Sequence, residues 1–115
     1  MIETRLGDFE ETTMLIVGIL GEDAYAFTIS KAFEQRTGRT VSIGAIHSTL
    51  DRLETKGFVR STLKNSTSER GDRRKRIFSI TALGKRVLKE SMEFKIDLWK
   101  SYPAFAGKFG LSEQS

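Results

Sequence analysis

A mainly α-helical chain with a minor β component is predicted by three observations. Four segments place apolar residues between helix-starting and helix-stopping residues, and two short runs after residue 57 alternate with a period of two. The third is length: 115 residues bury one modest core, so a ligand site larger than a surface groove requires a partner chain.

The first helix starts at Asp8, a capping residue, runs through Phe9, Met14, Val17 and Leu20, and stops at Gly21. Its apolar residues cover nearly the whole circumference, a pattern that a buried strand shares. Its length and the carboxylates of Asp8, Glu10 and Glu11, which suit a first turn, select helix. Apolarity all round implies burial on two sides, and a second subunit is a candidate for one of them. The second helix, residues 26–37, carries Phe27, Ile29, Ala32 and Phe33 and ends at Gly38.

The third helix has the clearest pattern. Ser42 caps it, Ile43, Ile46, Leu50 and Leu53 form a core stripe, and Lys56 and Gly57 close it. At 100° per residue the opposite face holds Gly44, Ala45, Ser48 and Arg52, with Asp51 on one flank and His47 nearer the boundary. That face is small at its N-terminal end, so another macromolecule can approach it closely. Two strands follow, residues 58–64 and 76–80, joined as a hairpin by a long polar loop. Thr81 then caps a helix over residues 82–101, about 30 Å long, ending before Tyr102 and Pro103. Its apolar positions Leu83, Val87, Leu88, Met92, Phe94, Ile96, Leu98 and Trp99 form a broad stripe. A domain this small has no core left to cover that stripe, so pairing with a second copy follows, with Leu88, Met92, Ile96 and Trp99 at the interface. The tail, residues 102–115, sets Phe105, Phe109 and Leu111 among glycines and reads equally as packed or loose.

The net charge of +4 becomes informative once it is located. Residues 60–76 hold seven positive side chains against Glu69 and Asp72, a local +5, leaving twelve against thirteen elsewhere. Such a basic loop is either a solvated surface or a phosphate contact. Its position directly after the small-faced helix favours the second. Three helices followed by a basic hairpin is the order of a winged helix-turn-helix, here with a long C-terminal dimerisation helix. In that arrangement the helix of residues 42–56 enters the major groove and the hairpin reaches flanking backbone. Residues 8–81 are then the DNA-binding domain and residues 82–101 the dimerisation helix.

Other classes fare worse. With no Cys, one His and no carboxylate pair flanking a plausible cavity, disulfides, thiolate metal sites and the usual nucleophile and acid-base arrangements are absent, and no phosphate-binding glycine loop appears. Neither an enzyme nor a metal or other cofactor is expected. The first eight residues are polar and acidic where a signal peptide needs a basic start and an apolar run, and the longest apolar stretch, residues 14–20, cannot span a bilayer. A cytoplasmic protein without a membrane partner is expected, in which the sequon at Asn65 is a chance match. The competing reading is a winged-helix module used for protein–protein contact or for non-specific nucleic-acid binding.

The run of residues 42–57, with Gly44, Ala45, Ile46 and His47 at its start and Arg52, Leu53, Glu54 and Gly57 at its end, resembles the recognition helix of PadR-type transcriptional regulators, G-T-L-Y-x-x-L-x-R-L-E-x-x-G. Residues 71–84 are similar to that family's wing and exit, G-G-x-x-R-K-Y-Y-x-L-T-x-x-G, and the likeness extends over about residues 15–88. It implies a dimeric bacterial DNA-binding repressor in which the last helix builds most of the interface. His47 stands where the family has Tyr, Ala45 where it has Thr, Ala26 and Phe27 where it often has Gly and Tyr, and Ile77 and Phe78 where the wing carries two Tyr.

Expected DNA-binding residues are therefore Ser42, Gly44, Ala45, His47, Ser48 and Arg52 on the helix and Arg70, Arg73, Arg74 and Lys75 on the wing. His47 replaces a Tyr that in relatives touches the backbone. If it donates to phosphate as a cation, its replacement flattens the pH dependence of binding between about pH 6 and 8. Arg52 reads equally as a surface residue paired with Asp51 or Lys56 nearby. Short family members admit planar or aromatic effectors between their final helices, beside a tryptophan. Trp99 lies about one turn beyond that position, so Trp99 and Phe94 read both as effector-binding residues and as plain interface core.

Overall fold

The computed structural model describes residues 6–65 and 74–103. Along the chain lie α1 (Asp8–Leu20), a 3-10 turn (Gly21–Asp23), α2 (Ala26–Thr37), α3 (Ile43–Thr55), β1 (Val59–Asn65), β2 (Arg74–Ile80) and α4 (Ala82–Ser101). The N-cap of α1 is Gly7 rather than Asp8. A carboxylate at the third helical position can reach back over the first turn, and Glu10 Oε1 accepts the Gly7 N–H at 2.9 Å.

The core forms where α1, α2 and α3 meet the hairpin. Met14, Ile16 and Val17 of α1, Ile29, Ala32 and Phe33 of α2, and Ile46, Leu50 and Leu53 of α3 are buried together with Phe58, Val59 and Phe78. Phe9 stacks on Phe33 with ring centroids 5.0 Å apart. Ile43 was expected in this stripe but is 40% exposed; the buried face of α3 begins a turn later at Ile46, and Thr49 joins it. Leu15 and Ile19 remain exposed, so only one side of α1 is covered within this chain.

At its C-terminus α3 ends in a paired turn. Gly57 adopts φ +85°, a left-handed conformation that suits glycine, so its N–H reaches the Glu54 carbonyl and the Phe58 N–H reaches that of Leu53, each at 2.9 Å. The hairpin is antiparallel, pairing Val59 with Ile80 through to Asn65 with Arg74. Strand β2 starts two residues earlier than the alternation indicated, because the backbone ladder continues through Lys75 and Arg74, whose polar side chains leave no apolar alternation to read. Arg74 and Lys75 therefore sit on a strand with defined directions. The Phe78 N–H also donates to the Ala24 carbonyl at 2.8 Å, tying the hairpin to the segment before α2.

Helix α4 is attached at its start, by Val87 and Leu88 packed on the core, and again farther along. Thr81 Oγ1 accepts the Gly84 N–H at 2.9 Å and donates to the Gly57 carbonyl at 2.7 Å. Gly84 lies so close to the preceding turn that a Cβ there would be 2.1 Å from the Phe58 carbonyl oxygen. Two turns on, Ser91 Oγ donates to Glu11 Oε2 and Lys95 Nζ to Glu11 Oε1. From Phe94 onward the apolar side chains of Phe94, Ile96, Leu98, Trp99 and Tyr102 are each at least half exposed. The architecture is a winged helix with a projecting C-terminal helix. No helix among the described residues is long and apolar enough to cross a membrane.

Candidate nucleic-acid interface

The exposed face of α3 carries the residues its periodicity indicated. Gly44, Ala45, His47 and Ser48 face solvent. Ser42 is also exposed, but its hydroxyl oxygen is engaged as the helix cap, accepting the Ala45 N–H at 3.0 Å. That bond leaves the N–H groups of Ile43 and Gly44 as first-turn donors aimed out of the helix. A Cβ added at Gly44 would meet nothing nearer than Ser42 Oγ at 4.0 Å, so packing inside this chain does not require glycine there.

Arg52 belongs to a different environment. Its Nε lies 3.4 Å from Glu10 Oε2 and its Nη2 3.3 Å from Thr49 Oγ1, while Lys56 Nζ donates to both Glu10 oxygens at 3.2 and 3.1 Å. Glu10 is 8% exposed. Burial by itself pushes its carboxyl pKa up, yet the Gly7 N–H, Lys56 and Arg52 together outweigh burial and hold it below the ordinary value. One carboxylate faces two cations, and of the two Arg52 is the more open to solvent, its side chain 55% exposed.

On the wing, Arg74 is exposed and has no ion-pair partner among the described residues. Arg70 and Arg73 lie outside the described residues. Lys75 folds back toward the start of α2, with its Nζ 4.4 Å from the centre of the Tyr25 ring and 3.3 Å from Tyr25 Oη. In the ladder Lys75 stands directly opposite Lys64. Like charges so placed repel one another, and a polyanion relieves that repulsion. Arg76, part of the basic excess in the sequence, is not free: its Nη2 is 2.9 Å from Glu54 Oε1 and its Nη1 3.7 Å from Asp51 Oδ1. It pins the wing to α3.

Four relevant residues escaped the sequence reading. Glu10 and Lys56 are 46 positions apart, so only the fold reveals their contact. Lys64 was visible as a charge but needed the strand register to acquire a neighbour. Arg39 is exposed in the turn between α2 and α3, and its place in that turn is the signal that marks it.

The expected dimer residues divide. Leu88 and Met92 are half-buried, Leu88 against the core, whereas Ile96 and Trp99 are exposed. Trp99 lines an open apolar hollow of about 390 Å³ with Lys95, Leu98 and Tyr102. Phe94 is not part of it. Among the described residues no cluster of three or more His, Asp or Glu side chains is placed to hold a metal ion.

Residues 16–90 match the profile described as the transcriptional regulator PadR-like family. The chain belongs to this family. A PadR-like chain is a DNA-binding transcriptional regulator, and solved structures agree on its fold. A PadR family transcription regulator from hypervirulent Clostridium difficile R20291 superposes with TM-score 0.64 at 27% identity, over 84% of this chain and 98% of that one. A PadR-like transcription factor from Bacteroides fragilis gives 0.69 at 24% identity, over 84% and 88%. A Streptococcus transcriptional regulator gives 0.66 at 20% identity, over 86% and 92%. No curated protein matches the chain in sequence.

Proposed function

We propose that this PadR-like chain is a cytoplasmic, sequence-specific repressor that binds a palindromic operator as a homodimer. Residues 8–81 hold the DNA and residues 82–101 make the dimer. The observation that carries this reading is Gly44: the first turn of α3 keeps a glycine at an exposed site where the fold has room for a side chain, although alanine is the better helix former. Close approach of DNA to the start of α3 explains it. Ala45, His47 and Ser48 then face base edges and sugar-phosphate, with the outward N–H groups of Ile43 and Gly44 beside them. Ser42 caps the helix that presents them.

Arg39, Arg52, Lys64, Arg70, Arg73, Arg74 and Lys75 supply phosphate contacts around that centre. The exposed apolar stretch from Phe94 to Tyr102 is covered by the same stretch of a second copy, with Leu88 and Met92 at its inner end. The hollow beside Trp99 becomes an enclosed site for a planar or aromatic effector when the partner closes it. A twofold dimer protects two half-sites about one helical turn, roughly 34 Å, apart. Hydroxyl-radical footprinting on the protein's own promoter tests this, and a single undivided protected patch would contradict the palindrome.

A further inference from the structure

Two successive carboxylates on one turn of α1 serve different helices. Residues i and i+1 of an α-helix point about 100° apart, so Glu10 faces α3 and Glu11 faces α4. Both are buried. Glu10 accepts from Lys56 and Arg52 of α3 and from the Gly7 N–H of its own helix end. Glu11 accepts from Ser91 and Lys95 of α4. The contact at Gly84 and the packing of Val87 and Leu88 on the core fix the first two turns of α4, but contacts so close together constrain its direction less than a contact farther along. The bonds at Ser91 and Lys95, two to three turns along, supply that farther contact.

We propose that Glu10 and Glu11 are positioning residues for DNA binding: the first turn of α1 fixes the direction of α4 relative to the recognition helix, and so transmits a tilt of α4 to α3 and Arg52. The two carboxylates share one rigid turn. A displacement of α4 that pulls Glu11 therefore also moves Glu10, together with the two cations it holds. Arg52 is the movable member, since its side chain is 55% exposed against 29% for Lys56. In a dimer made through α4, the same geometry sets how far apart the two recognition helices stand. The DNA part of this inference rests on the function proposed above; the mechanical part does not.

The absence of Cys from the sequence allows clean spin labelling. Cysteines at Ser48, on the exposed face of α3, and at Lys100, near the far end of α4, report the distance between the two helices when labelled chains are diluted into unlabelled protein. The parent should give one narrow distance distribution. Glu11→Gln, which keeps an acceptor for Ser91 but drops the charge, and Ser91→Ala should each broaden or shift it. Unchanged distributions in both variants overturn the inference, whatever the DNA result. On DNA, a cycle combining Ser91→Ala with Arg52→Ala should show operator affinities that depart from additivity about fivefold or more. Additive losses would remove Arg52 and the DNA role from the scheme. If the parent itself prefers no duplex, the repressor reading fails, while the distance measurement still decides the mechanical link.

Discussion

Removing the Glu10 carboxylate should cost the fold about 2 kcal/mol, because Glu10→Ala strands Lys56 and the Gly7 N–H as well as Arg52. The loss depends on pH. Since the folded carboxyl lies below its ordinary value of 4.5, its contribution is complete above that value and disappears as pH falls through the folded value. Urea unfolding at pH 7 and near pH 3 should therefore show a large difference between parent and Glu10→Ala at neutral pH and a smaller one in acid. Equal differences would contradict the depressed carboxyl. Two glycines separate folding from function in the same experiment. Gly84→Ala drives a methyl into the Phe58 carbonyl and should destabilise by about 3 kcal/mol. Gly44→Ala meets nothing and should stabilise by less than about 1 kcal/mol while weakening specific DNA binding.

Among the elements, the wing carries the electrostatic prediction. Arg73→Ala with Arg74→Ala should weaken binding to all duplexes alike and reduce the slope of log K against log salt by about 0.9 per lost phosphate contact. An unaltered slope from a salt titration would take phosphate binding away from the wing. Helix α3 and its outward residues were legible in the sequence because a cap at Ser42, a stripe through Ile46, Leu50 and Leu53 and a glycine stop are all local signals. The charge pattern of the wing was not. Arg76 belongs to the local +5 in the sequence yet is matched by Glu54 and Asp51, which lie 22 and 25 positions earlier. Lys64 and Lys75 confront each other only through the strand register. Pairings across long sequence separations leave no periodic trace, so the clamps at Glu10 and Glu11 were equally invisible.

For the molecule as a whole, α4 is the unfinished part. Its apolar length in the sequence pointed to a partner, and the structure leaves Ile96, Leu98 and Trp99 uncovered beyond the Glu11 clamp. Ile96→Glu with Leu98→Glu should convert a dimer to monomers in sedimentation experiments and lower operator affinity, whereas a double variant that sediments like the parent would place the interface elsewhere. A monomer has one recognition helix and half the phosphate contacts, so a palindrome gives it no advantage.

The claim on which everything else depends is sequence-specific duplex binding. A competition assay with the protein's own promoter fragment against random duplex and single strand, at fixed salt, tests it most directly. The promoter should be preferred over random duplex by about 10³-fold or more. A ratio near one would mean a non-specific nucleic-acid binder or a protein-contact module, and would contradict the account.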